Sequence, residues 1–244
     1  AKVSTPVPVA APDGKLIQSA GAPGVPHNRY CVLFRWLDGE FPDEDRLIES
    51  FGPLGEITAR LHAHARRWKL PAGFKRETWD LDFMFGQDPI WGRWQDGMGL
   101  AGSDRKLLER LVDRLRQRLD RFGKSPERFG LIHADLRLAN LLVEKGETKV
   151  IDFDDCGFGW YLYDFGTAVS FIEHRSDMDE LIASWVGGYR KVLPLSEDEE
   201  NEIPTFIMMR RLLLTAWIAS HSDTELAQEK GIDYTQGTCA LAED

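Results

Sequence analysis

The sequence is poor in cysteine. Cys31, Cys156 and Cys239 lie far apart and form no CxxC pair, which excludes a disulfide framework and a cysteine-based zinc site and leaves reduced, buried thiols as the expectation. It has no basic run or basic stripe, and its formal net charge of −10 argues against a nucleic-acid partner. It also lacks a long uninterrupted apolar run. The most apolar stretch, residues 207–219, carries Arg210 and Arg211 and cannot span a bilayer. No basic segment followed by an apolar run opens the chain, so neither a leader nor a membrane partner is expected, and the protein reads as cytoplasmic. What is present is 244 residues, 43% of them hydrophobic, which suffices for one large domain or one domain with a small satellite.

Residues 3–10 alternate weakly, Asp13-Gly14 signals a turn, and residues 20–26 are rich in Gly and Pro. Residues 30–36, YCVLFRW, are β-branched and aromatic and predict a buried strand. Helical spacing follows over residues 47–68, and again from Ser103 along the stripe Leu107, Leu108, Leu111, Leu115 and Leu119, with Ser103 as the expected cap. Between them, residues 71–102 form a long irregular stretch containing Trp79, Trp91 and Trp94. Such a stretch serves as a lid over a small molecule or as a roof for the helices, with the lid slightly preferred. Residues 131–135, 141–144 and 149–153 are short apolar runs, the last two joined through Lys145-Gly146-Glu147. Helices are then expected over 161–174 and 178–192, and a third opens with the capping box Ser196 and Glu199 and is broken or started near Pro204. The order gives an α+β fold dominated by helix.

The informative segment is 131–159, LIHADLRLANLLVEKGETKVIDFDDCGFG. It places Asp135 in a loop after a strand, Asn140 five residues later, and Asp152 at the end of the next hairpin strand. Phosphoryl transfer calls for these groups. One carboxylate orients the attacking hydroxyl and accepts its proton, while a carboxylate and an amide oxygen hold magnesium over the phosphates. An acidic chain that handles phosphate needs such a cation, or a few placed basic groups, to offset repulsion.

His133-x-Asp135-x-x-x-x-Asn140 followed by Ile151-Asp152-Phe153-Asp154 resembles the catalytic and metal-binding motifs of the aminoglycoside phosphotransferase and choline kinase-like family, which has a protein-kinase-like fold. YCVLFRWLDGE resembles that family's last N-lobe strand and hinge, ITARLHAH its first large C-lobe helix, and Asp164 in YLYDFGTA its helical aspartate that braces the catalytic loop. The likeness covers most of residues 30–222, and within the family DFDD and the tryptophan-rich insert look nearest to homoserine-kinase-like and hydroxylysine-kinase-like members.

The resemblance implies ATP and Mg²⁺, with Asp135 orienting or deprotonating the hydroxyl of a small-molecule acceptor. It implies Asn140 and Asp152 as magnesium ligands, and Arg137 as a cation for the transferring phosphoryl. Backbone groups near Arg35, Trp36 and Leu37 would meet the adenine edge, Leu142 and Ile151 would form its floor, and His133 and Asp164 would support the site. Ala134 stands where Gly is common in the family and Leu138 where Pro is common. Gly14, Gly21 and Gly24 form no GxGxxG, and Lys2 and Lys15 are the only lysines before the hinge. The implied organisation is therefore a truncated N-lobe remnant with hinge over residues 1–38 and a helical C-lobe over 39–244, ending within a helix.

Competing readings attach to several residues. Asp154 and Asp155 suit a metal or an amine-bearing acceptor and equally suit solvated loop positions. His62 and His64 point about 200° apart on a helix, so they form no metal pair. Trp185 and Trp217 fall on helical stripes and read as core, and the acidic run 197–200 as a helix N-terminus. A pseudokinase scaffold is the alternative function, since the Gly-rich loop and its lysine are absent, although it has no need of three magnesium-competent groups. An aspartyl-nucleophile phosphatase reading of Asp152-Phe153-Asp154 is a further alternative.

Overall fold

The computed structural model describes residues 3–243; Lys2 lies outside them. The N-terminal part is a narrow ribbon. β1 (Gln18–Ala20) pairs antiparallel with β2 (Arg29–Cys31), and Pro8 bridges antiparallel to Phe34 further along. The expected buried strand over 30–36 is a correction: Tyr30 is 84%, Leu33 69% and Trp36 87% exposed. Strand propensity is satisfied there by ladder pairing alone, because no layer of described residues packs on that face. Cys31 is likewise exposed; Cys156 is half-buried and Cys239 buried.

Beyond the ribbon the chain is mostly helical. α1 (Leu47–Ala65) buries Phe51, Leu54, Thr58 and His62 on one stripe. The insert 71–102 is built into the body. It holds β3 (Thr78–Trp79) and α2 (Leu81–Phe85), which Asp80 caps through the Phe83 amide. Trp79 and Trp94 are each 3% exposed, so the lid reading is corrected: these rings are core. α3 (Gly102–Phe122) starts without a side-chain cap, and Ser103 bonds to Asp104 instead.

β4 (Phe129–Ile132) leads into the central loop, followed by the hairpin β5 (Leu141–Glu144) and β6 (Glu147–Val150). Lys145 at φ 51° and Gly146 at φ 81° both occupy the left-handed region, the signature of a two-residue turn whose twist matches the strands. β7 (Gly157–Trp160) lies between β4, antiparallel, and β3, parallel. α4 (Tyr163–Ala168) is far shorter than the helix expected over 161–174, because the chain turns out of it and Phe171 sits at φ 71°.

α5 (Met178–Tyr189) crosses α1 at glycine. A Cβ on Gly188 would stand 1.9 Å from the Gly52 carbonyl oxygen, and one on Gly55 2.0 Å from that of Trp185. α6 (Glu197–Glu200) carries the expected capping box. α7 (Ile203–Ser220), with Pro204 in its first turn, is buried nearly all round and runs through the middle of the core. α8 (Glu225–Glu243) packs on it and breaks at Gly231. Trp185 is fully buried, whereas Trp217 is half-buried against a smaller cluster around Leu214 and Tyr234. Among the described residues no helix is long and apolar enough to cross a membrane.

Candidate functional site

The loop after β4 is held from below by α4. Asp164 accepts from the Ala134 amide at 2.8 Å and the His133 amide at 3.2 Å, and Thr167, one helical turn on, accepts from the Leu136 amide at 2.9 Å. Asp164 also receives His62 Nε2–H at 2.9 Å, and the Tyr189 hydroxyl donates to His62 Nδ1 at 3.0 Å. Helices α1, α4 and α5 thus meet at one fully buried carboxylate. Burial holds the His62 ring below its ordinary value and therefore neutral. Burial alone would raise Asp164, but the His62 bond and the loop amide keep it below the ordinary range. Ala134 sits at φ 66°, which a brace of this kind can hold.

Asp135 follows at the turn, and both its carboxylate oxygens are engaged. Oδ1 accepts from Arg210 Nη2 at 2.6 Å; Oδ2 accepts from Asn140 Nδ2 at 2.8 Å and Arg137 Nε at 3.2 Å. A carboxylate offers about four lone-pair positions, two on each oxygen. Oδ2 is filled, and one position on Oδ1 stays without a donor among the described residues. Arg210 is 2% exposed, packs over the Trp91 ring at 5.4 Å, and also donates to Ser170 at 3.2 Å and Tyr163 at 3.4 Å. Burial pulls its guanidinium down, but Tyr163 and Asp135 more than offset this. Burial pushes the Tyr163 hydroxyl up to about 12.

The third group arrives on the hairpin. The Ile151 amide donates to the Asn140 carbonyl at 3.0 Å, and His133 Nε2 meets the Ile151 carbonyl at 3.0 Å, so the loop and the residue before Asp152 are tied together. Asp152 takes φ 62°, a left-handed conformation that costs a non-glycine residue about 1–2 kcal/mol. A hydrogen bond with Asp154, then burial and the Asp154 charge, raise its carboxyl above the ordinary range. Burial, then the charges of Asp135 and Asp154, raise Asp155 too. These carboxylates crowd one another. Burial pushes the Cys156 thiol beside them up to about 11, so it is no nucleophile at neutral pH.

In the segment expected to meet adenine, Arg35 gives its amide to the Val7 carbonyl at 2.9 Å. Trp36 and Leu37 follow, and Glu40 then pairs with Val143 on β5. A Cβ at Gly39 would stand 2.9 Å from Leu142 Cβ, so this segment lies against the strand carrying that residue. Ile151 is half-buried at the end of β6. A cavity of about 730 Å³ beside Asp152 is lined by Phe34, Leu61, His64, Phe153 and Asp154 with residues near the N-terminus. None of Arg35, Trp36, Leu37, Leu142 and Ile151 lines it. Lys15, largely exposed, pairs with Asp13 at 3.8 Å.

His62, Tyr189, Arg210 and Arg76 are functional candidates that the sequence reading missed. From sequence, His62 reads only as a rejected metal partner of His64, and Arg210 only as a bar to a membrane span. A signal existed in both cases: a polar side chain on an otherwise apolar stripe implies a buried partner.

Several known proteins resemble this chain. The model of the phosphotransferase enzyme family (APH) matches residues 1–195. Amicoumacin kinase of Bacillus subtilis (strain 168) is 27% identical over 194 residues, covering 75% of this chain and 54% of that protein. Homoserine kinase of Neisseria meningitidis serogroup B (strain ATCC BAA-335 / MC58) is 27% identical over 234 residues, covering 93% of this chain and 68% of that protein. The chain therefore spans about half the length of the first and two thirds of the second. The solved structure of a microcompartment-associated aminopropanol kinase superposes with a TM-score of 0.90 at 46% identity, over 99% of this chain and 75% of that one.

Proposed function

Because the chain belongs to the phosphotransferase enzyme family, we propose that it forms the catalytic part of an ATP-dependent kinase acting on the hydroxyl of a small, amine-bearing alcohol. One observation carries the reading. Asp135, Asn140 and the Asp152 loop are knit together by the Asn140–Asp135 and Ile151–Asn140 hydrogen bonds, and Asp135 keeps a single open acceptor position, on Oδ1. An acceptor hydroxyl bound at Oδ1 gives its proton to Asp135 as its oxygen bonds to the γ-phosphorus, and the bond to the leaving ADP oxygen breaks. Arg137, at 3.2 Å from Asp135, would neutralise charge on the transferring phosphoryl. Trp36 and Leu37 offer backbone groups to adenine over Leu142 and Ile151. His133 and Asp164 support the loop.

Asn140 and Asp152 fit a magnesium ion. Both hydrogen bonds of the Asn140 side chain run through Nδ2, which leaves Oδ1 available, and a divalent cation relieves the crowding that raises Asp152. Among the described residues no group of three His, Cys, Asp or Glu side chains could hold a metal alone, consistent with an ion that draws its remaining ligands from phosphate and water. Magnesium would neutralise phosphate charge. Asp155, raised by burial and neighbouring carboxylates, favours an ammonium beside the acceptor hydroxyl. The 46% identity with an aminopropanol kinase supports that acceptor class, and dependence on ATP suits the cytoplasm.

Calorimetric titration with ATP, with and without Mg²⁺, tests the reading beside Asp152→Ala. Magnesium-dependent binding removed by the substitution is the expected result; binding indifferent to both sinks the site assignment. No binding at all favours a non-catalytic scaffold, unless a chain extended to the relatives' length recovers it. A panel in which neutral sugars outperform every amino alcohol refutes the acceptor class.

A further inference from the structure

Arg76 belongs to none of the motifs above, yet it faces the Asp152 loop with an unusual set of contacts. Its guanidinium donates to the carbonyl oxygens of Phe153 (2.9 Å), Asp154 and Cys156. From the same segment, Trp79 Nε1 donates to the Asp155 carbonyl at 2.8 Å. Two side chains of one segment therefore engage four consecutive carbonyls, 153 to 156. The backbone closes in as well. The Phe158 amide donates to the Glu77 carbonyl at 2.8 Å, and a Cβ on Gly157 would stand 2.7 Å from that oxygen.

Three features make this more than loop anchoring. Arg76 is exposed, so its burial does not support the core. Among the described residues its hydrogen bonds go to carbonyl oxygens only, so the guanidinium occupies none of the adjacent carboxylates of Asp152, Asp154 and Asp155. The held segment starts next to Asp152, whose left-handed backbone persists only where its surroundings fix it. A cation placed behind an acidic loop also lowers the repulsion among its carboxylates without occupying them.

We propose that Arg76 is a positioning residue that holds residues 152–156 in the conformation that receives the metal–nucleotide complex. This rests on the reading of Asp152 as a metal ligand. Groups that orient a ligand from behind typically alter metal affinity about 10–100-fold when removed.

The test uses Arg76→Ala, Arg76→Lys and Asp152→Ala in the full chain. Calorimetry with Mg²⁺·ATP and with metal-free ATP is read together with amide exchange of the metal-free protein. Arg76→Ala is expected to weaken Mg²⁺·ATP binding by about 10-fold or more. Metal-free ATP binding should change less than twofold, and Arg76→Lys should recover part of the loss. The Cys156 and Phe158 amides, bonded to Phe153 and Glu77 in the native loop, should exchange faster in Arg76→Ala. If Asp152→Ala abolishes binding while Arg76→Ala leaves affinity and exchange unchanged, the inference fails and the metal reading stands. If neither substitution alters binding, the metal reading itself fails and the inference with it. Equal weakening with and without metal marks general loosening and overturns the proposal. Should no nucleotide bind, unchanged exchange in Arg76→Ala overturns it and faster exchange confined to 153–158 supports the positioning role.

Discussion

Replacing Asp164 by alanine removes the acceptor for three buried donors: His62 Nε2–H and the amides of His133 and Ala134. Both side chains of the His62–Asp164 pair are fully buried, so bulk water does not replace the lost partner. A buried donor left unsatisfied costs about 1–3 kcal/mol, and three of them, eased by a water entering the space, put the loss at roughly 3–6 kcal/mol. That is a large share of the ~5–15 kcal/mol that stabilises a typical domain. Asp164→Asn keeps one carbonyl acceptor of the same shape and should cost about half as much. Urea unfolding followed by circular dichroism measures both, and a fall in midpoint without a change in slope marks a native-state effect. Since the same carboxylate fixes the residues before Asp135, the proposed phosphoryl transfer should fall in step with stability. A loss below about 1 kcal/mol for Asp164→Ala would refute the claim that this carboxylate carries the loop.

Three further expectations follow from contacts described above. Arg210→Met removes a charge-assisted bond of about 1.5–3 kcal/mol to Asp135 and, if Asp135 is the proposed base, should lower kcat by roughly 10–100-fold with the KM for nucleotide little changed; an unaltered kcat shows that this bond does not position the base. His62 has a folded value held below its unfolded 6.5, so the unfolded chain takes the proton first. Its contribution to stability is therefore complete above about pH 6.5 and shrinks as the pH falls toward the folded value, and denaturation midpoints at pH 7 and pH 5.5 should differ less in His62→Gln than in the native chain. Gly188→Ala places a methyl 1.9 Å from the Gly52 carbonyl oxygen and must part α1 from α5, at a cost of about 1–3 kcal/mol or more by thermal melting; a neutral outcome shows that the crossing has slack.

The arrangement of the proposed site was legible because it is local. Asp135, Asn140 and Asp152 fall within eighteen residues on one strand–loop–hairpin unit, and spacing alone orders them. The capping box at Ser196 and Glu199 and the Lys145-Gly146 turn are local for the same reason. What supports the site is not local. The His62–Asp164 contact joins residues 102 apart, Arg210 reaches Asp135 across 75, and Arg76 meets Cys156 across 80. Periodicity marks which face of α1 or α7 turns inward, but not which partner waits there. The 30–36 run failed in the opposite way. Its composition specifies an extended backbone, whereas burial depends on a covering layer that no strand encodes by itself.

The crossing of α1 and α5 has a consequence for how activity arises during folding. Where Gly188 lies against Gly52, Tyr189 reaches His62, and His62 in turn bonds to Asp164 under the loop. A molecule whose two helices have not docked has its phosphate-handling aspartates but no fixed arrangement of them. If the proposed function holds, partly folded chains should be silent rather than loosely active. On the proposed function, nucleotide would not be spent on wrong acceptors or water before the native state forms, and the appearance of turnover in a refolding experiment would report that the helical body has closed.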